Sequence, residues 1–311
     1  MSGIRILVII GVCLAVAGAL MARLAAVAPG DDAMTCKNAS GDVAINACTF
    51  AIGSGRFNTR DLAALYTNRG AAYRSKGETD RAIEDYNEAI RFYPHAMTFY
   101  NRGIAYRVKG DNERAIADYS ESTRLDPKHA LSFSNRGNIY SAKGDVDRAI
   151  ADYNEAIQLD PKRAATFSSR GNAYLVKKDY DRAIADHDEA IRLDPLQADF
   201  FYNRGNVYLA KADNDRAIAD YSEAVRLNPR HAAAFSNRGI AYLAKGDNDR
   251  MMADYNEAIR VDANYASAFY NRGLWNWANG YKDRAVADVT ESLRLNPGDR
   301  EAAAALNHFK Q

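Results

Sequence analysis

The sequence predicts an all-α protein in which one helical hairpin is repeated and stacked into a solenoid. The tripeptide Asn-Arg-Gly returns at nearly constant steps of 33 or 34 residues between Asn68 and Asn271, with Ser169 replacing the Asn once. Within each unit the apolar residues lie three and four apart, which is the period of an amphipathic helix. Because one helix pair cannot bury its own apolar stripe, neighbouring pairs must stack.

Each unit contains the same landmarks, illustrated by its third copy. Gly137 and Tyr140 fall on one face of a first helix, and the missing side chain of Gly137 lets a paired helix approach closely. Gly144 ends the first helix where the chain must reverse, because glycine readily adopts the left-handed conformation found at helix ends. Tyr153 lies between two alanines on the second helix, and Pro161 ends the unit because proline cannot continue a helix.

These intervals resemble the tetratricopeptide repeat (TPR), with Phe133 where that family usually has Trp. The resemblance implies a right-handed α-solenoid of seven repeats, preceded by a degenerate half-repeat and followed by a capping helix over residues 300–311. The expected repeats are 63–95, 96–129, 130–163, 164–197, 198–231, 232–265 and 266–299.

A few units depart from the pattern. The first is one residue short between Pro94 and Asn101. Lys178 and Ala212 replace the turn glycine, and His187 stands where the other second helices have Tyr. The seventh unit has lost its first-helix Tyr in the stretch Leu274-Trp275-Asn276-Trp277. Terminal repeats are often atypical because one of their faces meets solvent.

The N-terminal segment indicates export. A positive start, an apolar run over residues 6–22 and small residues up to residue 28 form the pattern of a signal peptide. The run also reaches the lower length limit for a membrane span, so residues 1–28 are predicted to be either a cleaved signal or an uncleaved anchor. Either way we expect an exported protein, periplasmic or anchored in the inner membrane facing the periplasm.

Between this segment and the repeats, residues 42–52 repeat the spacing of a second helix within the N-terminal segment 29–62. Cys48 stands at the aromatic place of that helix, with Cys36 twelve residues upstream. In an exported chain these two cysteines are expected to form a disulfide, and two unpaired core thiols are the alternative.

Composition argues against several classes of function. The 41 Lys and Arg residues balance 40 Asp and Glu residues, so we expect no nucleic-acid partner. No phosphate loop, nucleophile elbow or metal-binding helix motif occurs, and all three cysteines precede the repeats. The sequence therefore predicts a protein that is not an enzyme and has no cofactor and no metal.

An arginine follows the Asn of every repeat, where the family usually has Leu. A guanidinium beside a buried glycine loses its hydration shell, and this is too costly unless a carboxylate pairs with it. We therefore expect bidentate ion pairs between these arginines and the aspartates of the second helices, such as Asp118 and Asp152. The arginines are Arg69, Arg102, Arg136, Arg170, Arg204, Arg238 and Arg272.

The periodic Asn residues are the candidate binding site. By resemblance to the family they fall on the concave face, where members bind extended peptides, and they look like the asparagine ladder of its glycosyltransferase members. An amide both donates and accepts, so it can bind a peptide main chain without reading its sequence. The alternative is that each Asn solvates the groove or bonds the next helix. The candidate residues are Asn68, Asn101, Asn135, Asn138, Asn172, Asn203, Asn206, Asn237 and Asn271.

The sequence thus predicts a non-catalytic scaffold of the cell envelope that binds an extended protein segment in the concave groove, with a protein or peptide as its partner. Membrane contact is expected only through residues 6–22, if they are not removed. The alternative is an assembly factor that acts through the convex face or the solenoid ends, where Trp275 and Trp277 are expected to be exposed.

Overall fold

A computed structural model describes residues 31–310, and the predicted signal or anchor lies outside them. Within the described residues the chain forms seventeen α-helices and no strand. None of these seventeen helices combines the length and the hydrophobicity that a membrane span requires. The helices are α1 (Asp31–Asn38), α2 (Gly41–Gly53), α3 (Thr59–Ser75), α4 (Thr79–Phe92), α5 (Ala96–Val108), α6 (Asn112–Leu125), α7 (Ala130–Ala142), α8 (Val146–Leu159), α9 (Ala164–Val176), α10 (Tyr180–Leu193), α11 (Ala198–Ala210), α12 (Asn214–Leu227), α13 (Ala232–Ala244), α14 (Asn248–Val261), α15 (Ala266–Ala278), α16 (Lys282–Leu295) and α17 (Arg300–Phe309).

The chain divides into two compact units, Met1–Arg136 and Gly137–Gln311. Helices α3 to α16 alternate as the first and second helices of seven repeats, and α17 caps the last one. The α-solenoid expected from the repeated sequence is confirmed. The degenerate second helix before the repeats is α2, and α1, which the sequence pattern did not reveal, precedes it.

The disulfide between Cys36 and Cys48 joins α1 to α2, with 4.7 Å between the two Cα atoms. Both cysteines are buried and pack against Leu65 of the first repeat. Short helices with few apolar residues have little core of their own, and a disulfide compensates by restricting the unfolded chain.

In the first six repeats a ring of the second helix packs against the glycine of the first helix. Tyr221 is fully buried, and a Cβ atom added to Gly205 would lie 2.8 Å from its ring. Such a distance is too short for a real side chain, so only glycine fits. Alanines precede and follow the ring along α12, and both are fully buried, as the small–large–small pattern predicts.

The arginines pair with second-helix aspartates. Arg170 Nε and Nη2 donate to the two oxygens of Asp186 at 2.8 and 2.7 Å, and the hydrogen bond raises the pKa of this arginine. Its Nη1 donates to Asn154 of the preceding repeat at 2.7 Å. One guanidinium therefore connects three helices, which makes these arginines structural. The same bidentate geometry joins Arg69–Asp85, Arg102–Asp118, Arg204–Asp220, Arg238–Asp254 and Arg272–Asp288.

Candidate protein-binding surface

Several of the first-helix asparagines hydrogen-bond a side chain of the first helix one repeat earlier. In the first unit Asn135 Nδ2 donates to the Tyr100 hydroxyl at 3.3 Å. In the second unit Asn203 Nδ2 donates to Ser168 at 3.2 Å, and Asn271 Nδ2 approaches Ser236 at 3.4 Å. These amides are half-buried and tie successive first helices together. One role of the asparagines is therefore structural, as the alternative interpretation of the sequence had it.

The asparagines three residues further along differ among themselves. Asn138 and Asn172 are exposed, whereas Asn206 is half-buried. Asn138 Oδ1 accepts a hydrogen bond from the Tyr153 hydroxyl at 2.8 Å. Asn206 Oδ1 accepts from the Tyr221 hydroxyl at 2.8 Å. The buried tyrosines of the second helices thus fix the orientation of the Asn138 and Asn206 amides.

The asparagines meet one another at the fifth and sixth repeats. Asn237 Nδ2 donates both to Asn206 Oδ1 at 2.9 Å and to the Tyr202 hydroxyl at 3.3 Å. The Tyr202 ring lies 4.7 Å from the His231 ring and 5.9 Å from the Tyr221 ring, measured between centroids. Amide and aromatic groups therefore alternate along these first helices, and the resulting surface can both hydrogen-bond and pack.

In the first unit one of the candidate asparagines, Asn68, lines a hollow of about 230 Å³. Asn68 and Met97 contribute to its lining, together with Tyr93 and His95 from the inter-repeat turn. Met97 is 42% exposed and Tyr93 is 39% exposed. This is the turn that is one residue short in the sequence, and that irregularity was the only signal of the hollow.

The rim of this hollow is ordered by a hydroxyl pair and an ion–ring contact. The Thr67 and Thr98 hydroxyls lie 2.9 Å apart, and both residues belong to the lining. The Arg60 guanidinium stands over the Tyr93 ring, 5.4 Å from its centroid. Apolar, amide and cationic groups therefore converge within a single concavity of the first unit.

The prediction that both Trp residues are exposed is wrong. Trp277 stacks on Phe309 of α17, with 4.3 Å between the ring centroids. Trp275 is half-buried and stacks on Tyr281 at 6.1 Å. The sequence could not show this, because the covering rings come from beyond the repeat or from its own turn.

Two of the histidines cap first helices. His95 and His231 cap α5 and α13, and each accepts a backbone N–H at its Nδ1 atom. Within residues 31–310 no group of His, Cys, Asp and Glu side chains could hold a metal ion.

The structure defines a class of protein: a helical-repeat scaffold with polar and aromatic groups spaced along its first helices. A family model described as TPR repeat matches residues 103–144, 137–178, 171–212, 205–246 and 241–280. A second, described as tetratricopeptide repeat, matches residues 63–95. The chain belongs to the tetratricopeptide-repeat family, and in general terms it is a scaffold for protein–protein interaction.

Several solved structures share the fold. A tetratricopeptide repeat protein from Parabacteroides merdae is similar with a TM-score of 0.67 and 20% identity, over 80% of this chain and 99% of that one. A chain of the APC/C hetero-tetramer Cut9-Hcn1 is similar with a TM-score of 0.64 and 21% identity, over 87% of this chain and 52% of that one. Yeast Tom70 is similar with a TM-score of 0.56 and 17% identity, over 86% and 59%. At these identities the likeness shows the fold alone. No curated protein matches the chain significantly.

Proposed function

We propose that this chain is a non-catalytic scaffold of the cell envelope that holds an extended protein segment against its first helices, in the concave groove of the solenoid. The observation that carries the proposal is the hollow of the first unit, where Asn68 lies beside Met97 and Tyr93. Exposed Met and aromatic side chains are enriched at protein interfaces. The amide adds a group that can bind a peptide main chain.

The asparagines suit this role because their structural bonds use only part of each amide. An Asn side chain offers two N–H donors and two acceptor sites. The structural bond of Asn203 uses one N–H donor, and that of Asn138 uses its carbonyl oxygen. Exposed Asn138 and Asn172 can offer their remaining groups to a peptide. The proposal therefore assigns both roles to one set of residues, structure through one bond and recognition through the others.

Two features support the placement in the envelope. Residues 1–28 have the composition of an export segment, whether it is removed or kept as an anchor. The disulfide between Cys36 and Cys48 is of a kind that persists in oxidising compartments such as the periplasm.

An array of extended peptides of varied sequence tests the groove. We expect the protein to bind a subset of them, and Asn68→Ala combined with Met97→Ala to weaken that binding about tenfold or more, because a hydrogen bond and an apolar anchor are both lost. The matched control is Val108→Ala combined with Gln158→Ala, which removes one exposed apolar and one exposed amide side chain elsewhere.

The control variant should bind the array like the unchanged protein. If the Asn68→Ala, Met97→Ala variant bound the peptides as tightly as the unchanged protein, the proposal that the groove is the binding site would be wrong. That result would favour the alternative of an assembly factor, which binds its partner through the convex face or the solenoid ends. Localisation is tested separately, by asking whether the native protein fractionates with the periplasm or the inner membrane.

A further inference from the structure

Repeats two to six share a small device that the seventh lacks. In each, an arginine near the start of the second helix stands over the Tyr of the first helix, 4.5 Å from the ring centroid. The same arginine forms an ion pair with the Asp that caps its helix. The ring thus fills a notch between helices, and the carboxylate neutralises the guanidinium. The trios are Tyr106, Arg114 and Asp111; Tyr140, Arg148 and Asp145; Tyr174, Arg182 and Asp179; Tyr208, Arg216 and Asp213; and Tyr242, Arg250 and Asp247.

The seventh repeat keeps only the arginine of this trio. Asn276 stands at the ring position, and Tyr281 stands at the capping Asp position. Arg284 retains a contact with the Tyr281 ring, 5.5 Å from its centroid. In the part of the chain that the structure describes, no carboxylate lies within ion-pair distance of Arg284. This repeat therefore lacks one ring and one carboxylate.

A missing lysine leaves a second charge without a partner. Elsewhere a lysine at the end of a first helix pairs with an Asp at the start of the preceding second helix, as in Lys211–Asp181 at 2.8 Å and Lys245–Asp215. The lysine position of the seventh repeat is Asn279. Asp249 accordingly has no cation within ion-pair distance among residues 31–310. The seventh repeat thus also lacks one ammonium group.

The residues that lack these three groups, or stand in their place, line one hollow. Its volume is about 480 Å³, and Asp249, Asn276 and Arg284 all line it. Trp275 and Tyr281 also line it, with their rings 23° from parallel and their centroids 6.1 Å apart. The hollow lies among α14, α15 and α16, and all of its lining belongs to the second unit. Small-molecule sites have volumes in this range, with aromatic lining and a few polar groups.

Two further charges of the lining, those of Arg272 and Asp288, neutralise each other. Asp288 accepts two hydrogen bonds from Arg272, at 3.0 and 2.7 Å, and a third from Asn276 Nδ2 at 3.0 Å. Arg272 Nη1 is bonded to Asn256 at 2.6 Å. The unpaired charges of the lining are therefore the Arg284 cation and the Asp249 anion.

We propose that this hollow binds an aromatic amino acid, either free or within a dipeptide. Such a zwitterion carries the three groups that the seventh repeat lacks: a ring, a carboxylate and an ammonium. The ring packs against Trp275 and Tyr281, the carboxylate pairs with Arg284, and the ammonium pairs with Asp249. A guanidinium binds a carboxylate through two parallel hydrogen bonds, which gives the contact its specificity.

The ligand series needs no variant. Binding of L-phenylalanine, L-tyrosine, Ala-Phe, phenylalaninol and 3-phenylpropionate to the protein is measured by calorimetry. L-Phenylalanine or Ala-Phe should bind best, and their ratio distinguishes the free from the peptide source. Phenylalaninol, without the carboxylate, and 3-phenylpropionate, without the ammonium, should each bind about tenfold or more weakly, since each loses a charge-assisted hydrogen bond.

Variants that restore the pattern of the other repeats supply the second arm. Tyr281→Asp gives Arg284 its capping carboxylate but also removes a ring that packs against the ligand, so it should weaken all three ligands, and phenylalanine and 3-phenylpropionate more strongly than phenylalaninol. Asn279→Lys gives Asp249 its lysine, and should weaken phenylalanine and phenylalaninol but not 3-phenylpropionate. Asn276→Tyr refills the notch and should weaken all three.

Each variant copies contacts that the other repeats already make, and its helix content and Tm are checked beside the binding data. Failure of every aromatic ligand to bind the unchanged protein would overturn the proposal. So would equal binding by a folded variant that carries all three changes.

Discussion

Repeats four and five share one scaffold but differ in the ring at its centre. In repeat five the buried Tyr221 packs on Gly205, and its hydroxyl donates to Asn206 at 2.8 Å. In repeat four the equally buried His187 packs on Gly171, where an added Cβ atom would lie 2.8 Å from Nε2. Neither of its ring nitrogens has a hydrogen-bond partner within the described part of the chain.

The difference shows that a ring of the right shape is enough to fill the place beside the glycine, even when its polar atoms have no hydrogen-bond partner. Imidazole fills the same place against glycine, so the packing survives, but the hydroxyl that orients the amide in repeat five is missing. The cost is electrostatic: burial, and secondarily the charge of Arg204, lowers the pKa of His187 to about 4. A buried ring without partners stays neutral because charging it would leave an unsolvated cation.

The largest expected effect tests what the two repeats have in common, the bidentate pair. Arg170→Leu in repeat four and Arg204→Leu in repeat five should each lower the free energy of unfolding by about 3–5 kcal/mol, because a buried carboxylate is left alone. Denaturant unfolding measures this. Arg170→Leu combined with Asp186→Leu should recover most of the loss, and a harmless single change would show that the arginines are solvated.

A smaller effect separates the two repeats by pH. Because the pKa of His187 is lowered from 6.5 to about 4 in the folded protein, His187 is protonated in the unfolded chain but neutral in the folded chain between these two pH values. Protonation of His187 therefore does not reduce the free energy of unfolding above pH 6.5. As the pH drops toward 4, it lowers this free energy by about 3 kcal/mol in total.

Exchanging the rings checks this pH dependence in both directions. His187→Tyr should remove the additional loss of stability between pH 6.5 and 4, and Tyr221→His should add a second loss in repeat five. Unfolding free energies at several pH values compare the variants, so that the titration of other groups cancels. Identical pH profiles for the unchanged protein and His187→Tyr would mean that His187 is protonated or solvated in the fold.

The smallest effect concerns the turns of the same two repeats. Lys178 and Ala212 adopt left-handed backbone angles, with φ of 58° and 57°, where the other repeats have glycine. Side chains are strained in this conformation, so Lys178→Gly and Ala212→Gly should each raise the free energy of unfolding by about 0.5–1 kcal/mol. Gly144→Ala is the converse control and should lower it, and Tm shifts report all three. A gain from Gly144→Ala would contradict the strain.

The sequence by itself determined the helices, the repeat and the arginine–aspartate pairs. A fixed period places the same residue types on the same helix faces in every copy. The pairing of Arg170 with Asp186 follows from charge, because a guanidinium beside a buried glycine must find a carboxylate. Such inferences need only local periodicity and the cost of burying a charge.

Only the tertiary structure decided which groups remain available at the surface. The asparagine periodicity did not reveal that Asn203 bonds the preceding first helix, because the partner Ser168 lies 35 residues away and its approach depends on how the helices stack. The sequence shows that Asn276 replaces a tyrosine, but not that a hollow opens beside Trp275 and Arg284. Whether a missing side chain leaves a cavity depends on how far neighbours from three helices relax, and packing alone settles that.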